Sequence, residues 1–288
     1  LTGGDGADTL FGGAGSDLLR GGLGVDFLYG GSGLDLAVYD TATGPVTVNL
    51  ATGVVTGPDG ADVLLSIEAL AGSAFADRLT GDAGENLLMG LAGNDTIDGG
   101  DGFDLAGYLF ASTPVTVNLA TGVVSGGGGF DTLIAIEGVL GSDLADTLTG
   151  NGNSNVLVGM EGNDTISGGG EVDTASYEYA PSAVTVNLAT GTSSGGDGAD
   201  VLISIEYVTG SGFSDTLTGD AGANYLFGGG GDDTLTGGLG NDTLEGGVGF
   251  VFADYRGTAG PVSVDLALNS AISVDGTDLL IGIDGVTG

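Results

Sequence analysis

Aspartate residues recur at a fixed spacing at the start of the chain. Residues 3–38 form four consecutive nine-residue rows, GGDGADTLF, GGAGSDLLR, GGLGVDFLY and GGSGLDLAV, and the sixth position of every row is aspartate. An apolar residue occupies the eighth position. The glycine-rich first six positions can adopt positive φ and turn tightly, because glycine has no Cβ. The three remaining positions suffice only for a very short strand, so each row predicts one turn and one strand.

The spacing of these aspartates predicts two stacks of carboxylates. If two rows make one turn of a solenoid, Asp8 stacks on Asp26 along one edge, and Asp17 stacks on Asp35 along the opposite edge. Carboxylates one strand spacing apart, roughly 4.8 Å, repel one another unless a cation lies between them. Ligands that are all oxygen suit a hard cation, and their flexible geometry favours Ca²⁺ over Mg²⁺. We therefore expect calcium ions at these edges.

These rows resemble the RTX (repeats-in-toxin) family of calcium-binding nonapeptide repeats. The resemblance implies an all-β fold, a right-handed parallel β-roll or β-helix solenoid, that holds multiple Ca²⁺ ions. It also implies export by a type I secretion machinery and a location outside the bacterial cell or on its surface. A glycine-rich linker is the alternative interpretation, but a linker does not require aspartate at a fixed phase.

A longer repeat divides the chain into four such blocks. The segment VTVNLATG occurs three times at intervals of 69 residues, and a shortened copy follows after a further 78. The difference is one added row, and the blocks therefore cover 3–38, 72–107, 141–176 and 210–254. Asparagine at a sixth position predicts weaker binding, and Val251 in the fifth row of the last block predicts a lost ligand. The candidate metal ligands in the blocks are Asp8, Asp17, Asp26, Asp35, Asp77, Asn86, Asp95, Asp104, Asp146, Asn155, Asp164, Asp173, Asp215, Asn224, Asp233 and Asp242.

Three connectors, 39–71, 108–140 and 177–209, join the blocks, and 255–288 is an incomplete last connector. The nine-residue frame continues through most of each connector and reaches a further candidate ligand: Asp62, Asp131 or Asp200. Alternating apolar residues from Val46 predict a strand with one buried face, which either widens the roll or forms a hairpin. We expect residues 1–288 to form one repeat solenoid. Because both ends cut through a row, we interpret the chain as a segment of a longer protein.

Each connector ends in a six-residue row with an acidic residue. These residues are Glu68, Glu137, Glu206 and Asp284, and each follows an isoleucine. Two interpretations remain open for this carboxylate. It closes the first calcium site of the following block, or it is a solvated acid beside a buried isoleucine.

Composition excludes several classes of function. The chain has 39 acidic and 3 basic residues, a formal net charge of −36, and neither cysteine nor histidine. Nucleic acids and anionic membranes attract clusters of lysine and arginine, so neither is an expected partner. No apolar run is long enough for a membrane span. Without histidine a Ser-His-Asp site cannot be built, and periodic acids are unlike a single catalytic pair, so we expect no enzyme.

The physical expectation is that calcium binding and folding are coupled. Short strands bury little apolar surface, whereas a glycine-rich backbone loses much conformational entropy on folding. We therefore expect an unfolded chain without calcium and a rigid roll with it, which assists export and then supports an extracellular or surface protein. The alternative is a carbohydrate- or surface-binding accessory module, and self-association also remains open.

Overall fold

The computed structural model describes the whole chain, residues 1–288. It consists of strands and turns without a helix, so the predicted all-β class is confirmed. The chain divides into two compact units, Leu1–Ser142 and Asp143–Gly288. No helix in the structure has the length and apolar character needed to cross a membrane.

Most strands are three residues long, and nearly all of these bury their middle residue. That residue is the eighth position of its row, and Leu79, Leu88 and Ile97 are fully buried there. The seventh and ninth positions point to the other face, because side chains alternate along a strand. On the first sheet some of these are buried too, and Val38, Ala71 and Met89 form a second apolar cluster. Apolar burial contributes about 25 cal/mol per Å², so one or two buried residues per row give a thin core.

The first unit contains two sheets built from its seventeen strands. The first sheet has the order β1-β3-β5-β9-β11-β13-β17 and the second β2-β4-β8-β7-β6-β10-β12-β16-β15-β14, with the following bounds: β1 (Thr2–Asp5), β2 (Thr9–Ala14), β3 (Leu18–Leu23), β4 (Phe27–Ser32), β5 (Leu36–Val38), β6 (Thr47–Asn49), β7 (Val54–Thr56), β8 (Val63–Leu65), β9 (Ala69–Ala71), β10 (Arg78–Thr80), β11 (Leu87–Met89), β12 (Thr96–Asp98), β13 (Leu105–Gly107), β14 (Val115–Asn118), β15 (Val123–Gly126), β16 (Gly129–Ile134) and β17 (Gly138–Leu140).

The second unit also contains two sheets. Its first sheet has the order β19-β21-β25-β27-β29-β33-β32-β31 and its second β18-β20-β24-β23-β22-β26-β28-β30-β34, with the following bounds: β18 (Thr147–Thr149), β19 (Val156–Val158), β20 (Thr165–Ser167), β21 (Thr174–Ser176), β22 (Val184–Asn187), β23 (Thr192–Gly195), β24 (Val201–Ile203), β25 (Tyr207–Thr209), β26 (Thr216–Thr218), β27 (Tyr225–Gly230), β28 (Thr234–Thr236), β29 (Thr243–Val248), β30 (Phe252–Asp254), β31 (Ser263–Asp265), β32 (Ser270–Ile272), β33 (Thr277–Ile281) and β34 (Gly285–Thr287).

Within the blocks, successive rows alternate between the two sheets of a unit. Neighbouring strands of a sheet run parallel and are offset by two rows. Leu10 pairs with Leu28, and Leu79 pairs with Ile97. This register confirms that two rows make one turn of a parallel β-roll.

The connectors interrupt this winding with an antiparallel meander of three strands. In the first connector, β7 runs antiparallel to both β6 and β8. The outer strands of the meander pair in parallel with the blocks, β8 with β4 and β6 with β10. Of the two arrangements left open by the sequence, the hairpin is observed, and the nine-residue frame of the connector does not continue the parallel winding. Parallel stacking resumes on both sides of the meander.

The turn that opens each of the first three meanders follows from the sequence Asn-Leu-Ala-Thr-Gly. The Asn49 side chain accepts a hydrogen bond from the backbone N–H of Thr52 at 2.8 Å, and Gly53 adopts a φ of 67°. Asparagine side chains commonly close such turns, and glycine tolerates positive φ. Asn118 and Asn187 accept the corresponding hydrogen bond in the next two connectors. This turn reverses the chain, so the following strand is antiparallel.

The last meander lies in the opposite sheet from the meander that precedes it. Strands β22, β23 and β24 belong to the second sheet of their unit, whereas β31, β32 and β33 belong to the first. The block between these meanders, 210–254, has five rows where the other blocks have four. Because rows alternate between sheets, an odd number of rows places the next connector on the other sheet.

Candidate metal centre

The sixth-position carboxylates form ladders along the turns that precede the strands. In each ladder, the backbone N–H of one sixth-position residue donates to the carboxylate one turn later. The N–H of Asp8 lies 2.9 Å from Oδ1 of Asp26, and the N–H of Asp77 lies 2.8 Å from Oδ1 of Asp95. The carboxylates predicted to stack at intervals of eighteen residues are therefore neighbours in the structure.

The ladders extend from each block into the last nine-residue row of the following connector. The N–H of Asp95 donates to Oδ1 of Asp131 at 2.9 Å, although 36 residues separate them. The N–H of Asp164 donates in the same way to Oδ1 of Asp200 at 2.9 Å. This is possible because the last strand of the meander returns to the parallel register of the block.

The acidic residues of the six-residue rows also belong to the ladders. Oε2 of Glu137 accepts from the N–H of Asp104 at 3.0 Å, and Oδ2 of Asp284 accepts from the N–H of Val251 at 2.9 Å. Oε2 of Glu68 and Glu206 does the same in the other connectors. In the first three connectors a glutamate, one methylene longer than aspartate, reaches the ladder from a row with three fewer residues. Each of these carboxylates therefore accepts from the last row of the preceding block, and its role as a calcium ligand stays a prediction.

Ten of the candidate ligands have one carboxylate oxygen that is buried and accepts no hydrogen bond. An unsatisfied buried charge is strongly unfavourable, so each of these oxygens needs a proton or a cation. The atoms are Oδ2 of Asp8, Asp17, Asp26, Asp35, Asp95, Asp104, Asp164, Asp173, Asp233 and Asp242.

The pKa values of several of these aspartates reflect the same burial. Desolvation raises the pKa of Asp95 to about 7 and that of Asp164 to about 8, and neighbouring carboxylates add to the increase. The pKa values of Asp104, Asp233 and Asp242 rise to about 6, again mainly through burial. Near neutral pH, a cation is the partner that allows these carboxylates to stay ionised.

Glycine at the first position of each row makes room for the orphaned oxygen. A Cβ at Gly21 would overlap Oδ2 of Asp26, and a Cβ at Gly159 would overlap Oδ2 of Asp164. The same substitution at Gly90 would overlap Oδ2 of Asp95. The carboxylate therefore packs directly over its own turn, beside backbone carbonyl groups.

The available ligands fit calcium. No group of three or more aspartate, glutamate, histidine or cysteine side chains is arranged to hold a metal ion. Side chains alone therefore do not complete a site, and backbone carbonyl oxygens of the turns must supply further ligands. A mixture of carboxylate and carbonyl oxygen in a flexible turn suits Ca²⁺ and excludes soft metals.

The other candidate ligands lie on the same ladders, but none of them has a buried oxygen without a hydrogen bond. They are Asp62, Asp77, Asn86, Asp131, Asp146, Asn155, Asp200, Asp215 and Asn224.

Several of these residues accept hydrogen bonds from side chains that were not among the candidates. Ser73 donates to Asp77 at 2.8 Å, and Tyr108 donates to Asp131 at 3.2 Å. The sequence signals for these donors are the recurrence of Gly-Ser at the start of three blocks and of tyrosine at the first position of every connector.

A parallel β-roll with stacked carboxylates on its turns defines a class of repeat protein that binds hard cations. Comparison with protein families finds four copies of the RTX calcium-binding nonapeptide repeat, at 2–37, 71–106, 140–175 and 209–248. These copies cover just over half of the chain. The chain belongs to this family, and its repeats bind multiple Ca²⁺ ions. No curated protein has a significant match to the chain.

Proposed function

We propose that the chain is a structural segment of a secreted or surface protein and that it folds when calcium binds. The ten buried Oδ2 atoms without a hydrogen bond carry this proposal. Each would have calcium as its partner, together with carbonyl oxygens of the glycine-rich turns. The binding free energy of the ions then contributes directly to the free energy of folding. No catalytic step is part of this role.

The charge of the chain connects calcium to export. With a formal net charge of −36, the chain repels itself when it compacts without cations. In a calcium-poor cytosol it would stay unfolded and could pass through a type I secretion machinery, the route that family membership suggests. Outside the cell, calcium would neutralise the ladders and the roll would form.

The test is a calcium titration of the purified chain, followed by far-UV circular dichroism. We expect a coil signal in chelator and a β signal that saturates with calcium, whereas magnesium at the same concentrations has little effect. A complete β signal in chelator would overturn the proposal, because folding would then not require calcium.

A second candidate function is binding to a neutral polysaccharide. Its support is an aromatic pair on the first sheet of the second unit, where the rings of Tyr207 and Tyr225 lie 5.1 Å apart at 43°. The Tyr225 hydroxyl donates to Glu245, and Tyr207 is 38% exposed. Exposed aromatic rings can stack on sugar rings, and a neighbouring carboxylate can accept hydrogen bonds from sugar hydroxyls. The negative charge of the chain disfavours acidic polysaccharides.

Pull-down on chitin and cellulose in calcium tests this second candidate. We expect Tyr207→Ala to abolish retention and Tyr179→Ala to preserve it, since Tyr179 is also exposed. Equal retention of both variants, or none by the unsubstituted chain, would remove this candidate.

A further inference from the structure

The carboxylate ladders contain two kinds of sixth-position residue, which we call open and closed rungs. Open rungs are the ten aspartates with an orphaned Oδ2. In closed rungs, the protein donates a hydrogen bond to the side-chain oxygen that is left orphaned in an open rung. Closed rungs defined by such donors are Asp77, Asn86, Asp131, Asn155, Asp200, Asp215, Asn224 and Asp278.

The donor to a closed rung inside a block comes from the second position of the same row. The backbone N–H of Ser211 donates to Oδ2 of Asp215 at 2.5 Å, and its hydroxyl donates to Oδ1 at 2.9 Å. In the following row, the N–H of Asp220 donates to Oδ1 of Asn224 at 2.7 Å. The first two rows of the second block repeat this arrangement at Asp77 and Asn86.

The donor to a closed rung in a connector is a tyrosine hydroxyl. Oδ2 of Asp200 accepts from Tyr177 at 3.0 Å and from Ser193 at 2.6 Å. Oδ2 of Asp278 accepts from Tyr255 at 2.8 Å. Both tyrosines are buried, so their hydroxyl groups are fixed against the ladder.

Open rungs differ from closed rungs of the blocks in backbone conformation. Positive φ at the second position turns the backbone N–H away from the carboxylate. By contrast, Ser73, Asp82, Asn151, Ser211 and Asp220, which occupy this position in closed rungs, are not among the residues with positive φ. All ten open rungs have a residue with positive φ at the second position: Gly4, Gly13, Gly22, Gly31, Leu91, Gly100, Met160, Gly169, Gly229 and Gly238.

Leu91 and Met160 make this difference more informative. Both adopt positive φ, 71° and 66°, without being glycine. A non-glycine residue in this conformation is strained, and both occur in rows with open rungs. These two rows therefore have positive φ at the second position even though leucine and methionine disfavour that conformation.

We propose that, within the four blocks, the conformation at the second position of a row determines whether its sixth-position residue requires calcium. In the connectors the tyrosine hydroxyl closes the rung whatever this conformation is, as at Asp131, where Gly127 has a φ of 63°. A left-handed second position leaves an open rung that takes an ion, and a right-handed or extended one lets the protein close the rung itself. Calcium demand is then concentrated in the first block, which has four open rungs, whereas each later block has two. This inference rests on the proposed function, since it assumes that open rungs bind calcium.

Two consecutive rungs of one ladder provide a matched test. The N–H of Asp215, a closed rung, donates to Oδ1 of Asp233, an open rung, and both residues are buried. Asp233→Asn and Asp215→Asn remove one charge each, and asparagine already occupies the sixth position of a row on the other ladder, at Asn224. Bound calcium is counted by equilibrium dialysis and atomic emission, and the calcium midpoint of folding is measured by circular dichroism.

We expect Asp233→Asn to lose at least one ion per chain and to raise the calcium midpoint several-fold. Asp215→Asn should keep the number of ions and change the midpoint less than twofold. Equal loss of ions from both variants would overturn the inference but not the proposed function, whereas an unsubstituted chain that binds no calcium would overturn both.

Should Asp215→Asn fail to fold, Ser211→Gly decides the question. Glycine removes the hydroxyl donor and permits positive φ, so the rung should open and the chain should bind one more ion. An unchanged ion count in Ser211→Gly would contradict the role of the second position.

Discussion

The backbone N–H of Asp26 donates to the carboxylate of Asp62 at 2.9 Å, although the two residues are 36 positions apart in sequence and strands β6 and β7 of the meander lie between them along the chain. The ladder of the second sheet therefore reaches the last strand of the meander, β8, and starts again beyond it, where Asp77 accepts from the N–H of Val46 at 2.7 Å. The middle strand of the meander, β7, pairs only with β6 and β8, and the outer strands keep the parallel register. The connectors add surface to one sheet and divide the ladder on that sheet, because Asp77 and Asp215 accept from a valine N–H and not from a sixth-position residue.

The hydrogen bonds along the ladders have a consequence for calcium binding. Most of the carboxylates accept from the N–H of the rung one turn earlier, as Asp95 does from Asp77, so such a rung is positioned only when its neighbour is folded. Ion binding at one rung therefore stabilises the next, and folding should spread between adjacent turns of a unit as in other repeat proteins. At the closed rungs of each unit, folding can propagate to the next turn without a bound ion.

Alanine at the first position of an open row should weaken calcium binding. In Gly159→Ala the new Cβ overlaps Oδ2 of Asp164, the atom that would face the ion. We expect the calcium midpoint of folding to rise about tenfold, equivalent to about 1.4 kcal/mol. Gly152→Ala is the matched control, because its Cβ meets no atom within 4 Å and should leave the midpoint unchanged. Equal midpoints for the two variants would contradict a packed site at Asp164.

The parts of the fold that depend on local sequence were predictable. The nine-residue period placed Leu10 opposite Leu28, and the structure has that register. The antiparallel hairpin was one of two arrangements that the sequence left open for the connectors. The sequence did not decide between them, because the nine-residue frame continues through 39–65 while the turn at Asn49 and Gly53 reverses the chain. The local turn signal overrides the longer period.

The sequence predicted which residues form the ladders, but it did not predict which rungs are open and which are closed. Sequence spacing placed the sixth-position residues on shared ladders, as observed for Asp77 and Asp95. It could not show that Tyr108 reaches Asp131, 23 residues away, because that contact depends on how the meander folds back. Nor could it show the left-handed backbone of Leu91, since residue type favours the opposite conformation. Whether each candidate binds calcium stays a prediction.

Glycine at position 171 should stabilise the calcium-bound roll. Glu171 is exposed and adopts a φ of 64°, a conformation that costs a non-glycine residue roughly 1–2 kcal/mol. We expect Glu171→Gly to increase the free energy of unfolding by about 1 kcal/mol. Glu171→Ala is the control, because alanine retains the Cβ and should give no comparable gain. Denaturant unfolding in saturating calcium measures the difference, and an alanine variant as stable as the glycine variant would contradict backbone strain.

Removal of the Tyr108 hydroxyl should destabilise its connector. In Tyr108→Phe, Oδ2 of Asp131 loses the donor at 3.2 Å and becomes a buried acceptor without a partner, which costs about 1–3 kcal/mol. Tyr177→Phe should cost less, because Ser193 still donates to Oδ2 of Asp200 at 2.6 Å. Thermal unfolding in calcium compares the variants. A larger loss in Tyr177→Phe than in Tyr108→Phe would show that these hydrogen bonds do not determine stability.

Acid should partly replace calcium in a chain kept in chelator. Burial raises the pKa of Asp164 to about 8 and that of Asp95 to about 7 in the folded chain, whereas an unfolded aspartate has a pKa of about 3.9. Between these values the folded state binds more protons than the unfolded state, so its stability increases as the pH falls. We expect the β signal in chelator to grow as the pH is lowered from about 8 to about 5.

Calcium-dependent folding should change with pH in the opposite direction. Calcium requires ionised carboxylates, so protons compete with the ion and the calcium midpoint should rise as the pH falls. Lowering the pH should therefore stabilise the metal-free roll but weaken calcium binding. A β signal in chelator that does not change between about pH 8 and pH 5 would show that the buried carboxylates are not what keeps the metal-free chain unfolded. Asp164→Asn, which removes the group with the highest of these pKa values, should reduce the acid response in chelator while leaving its direction unchanged.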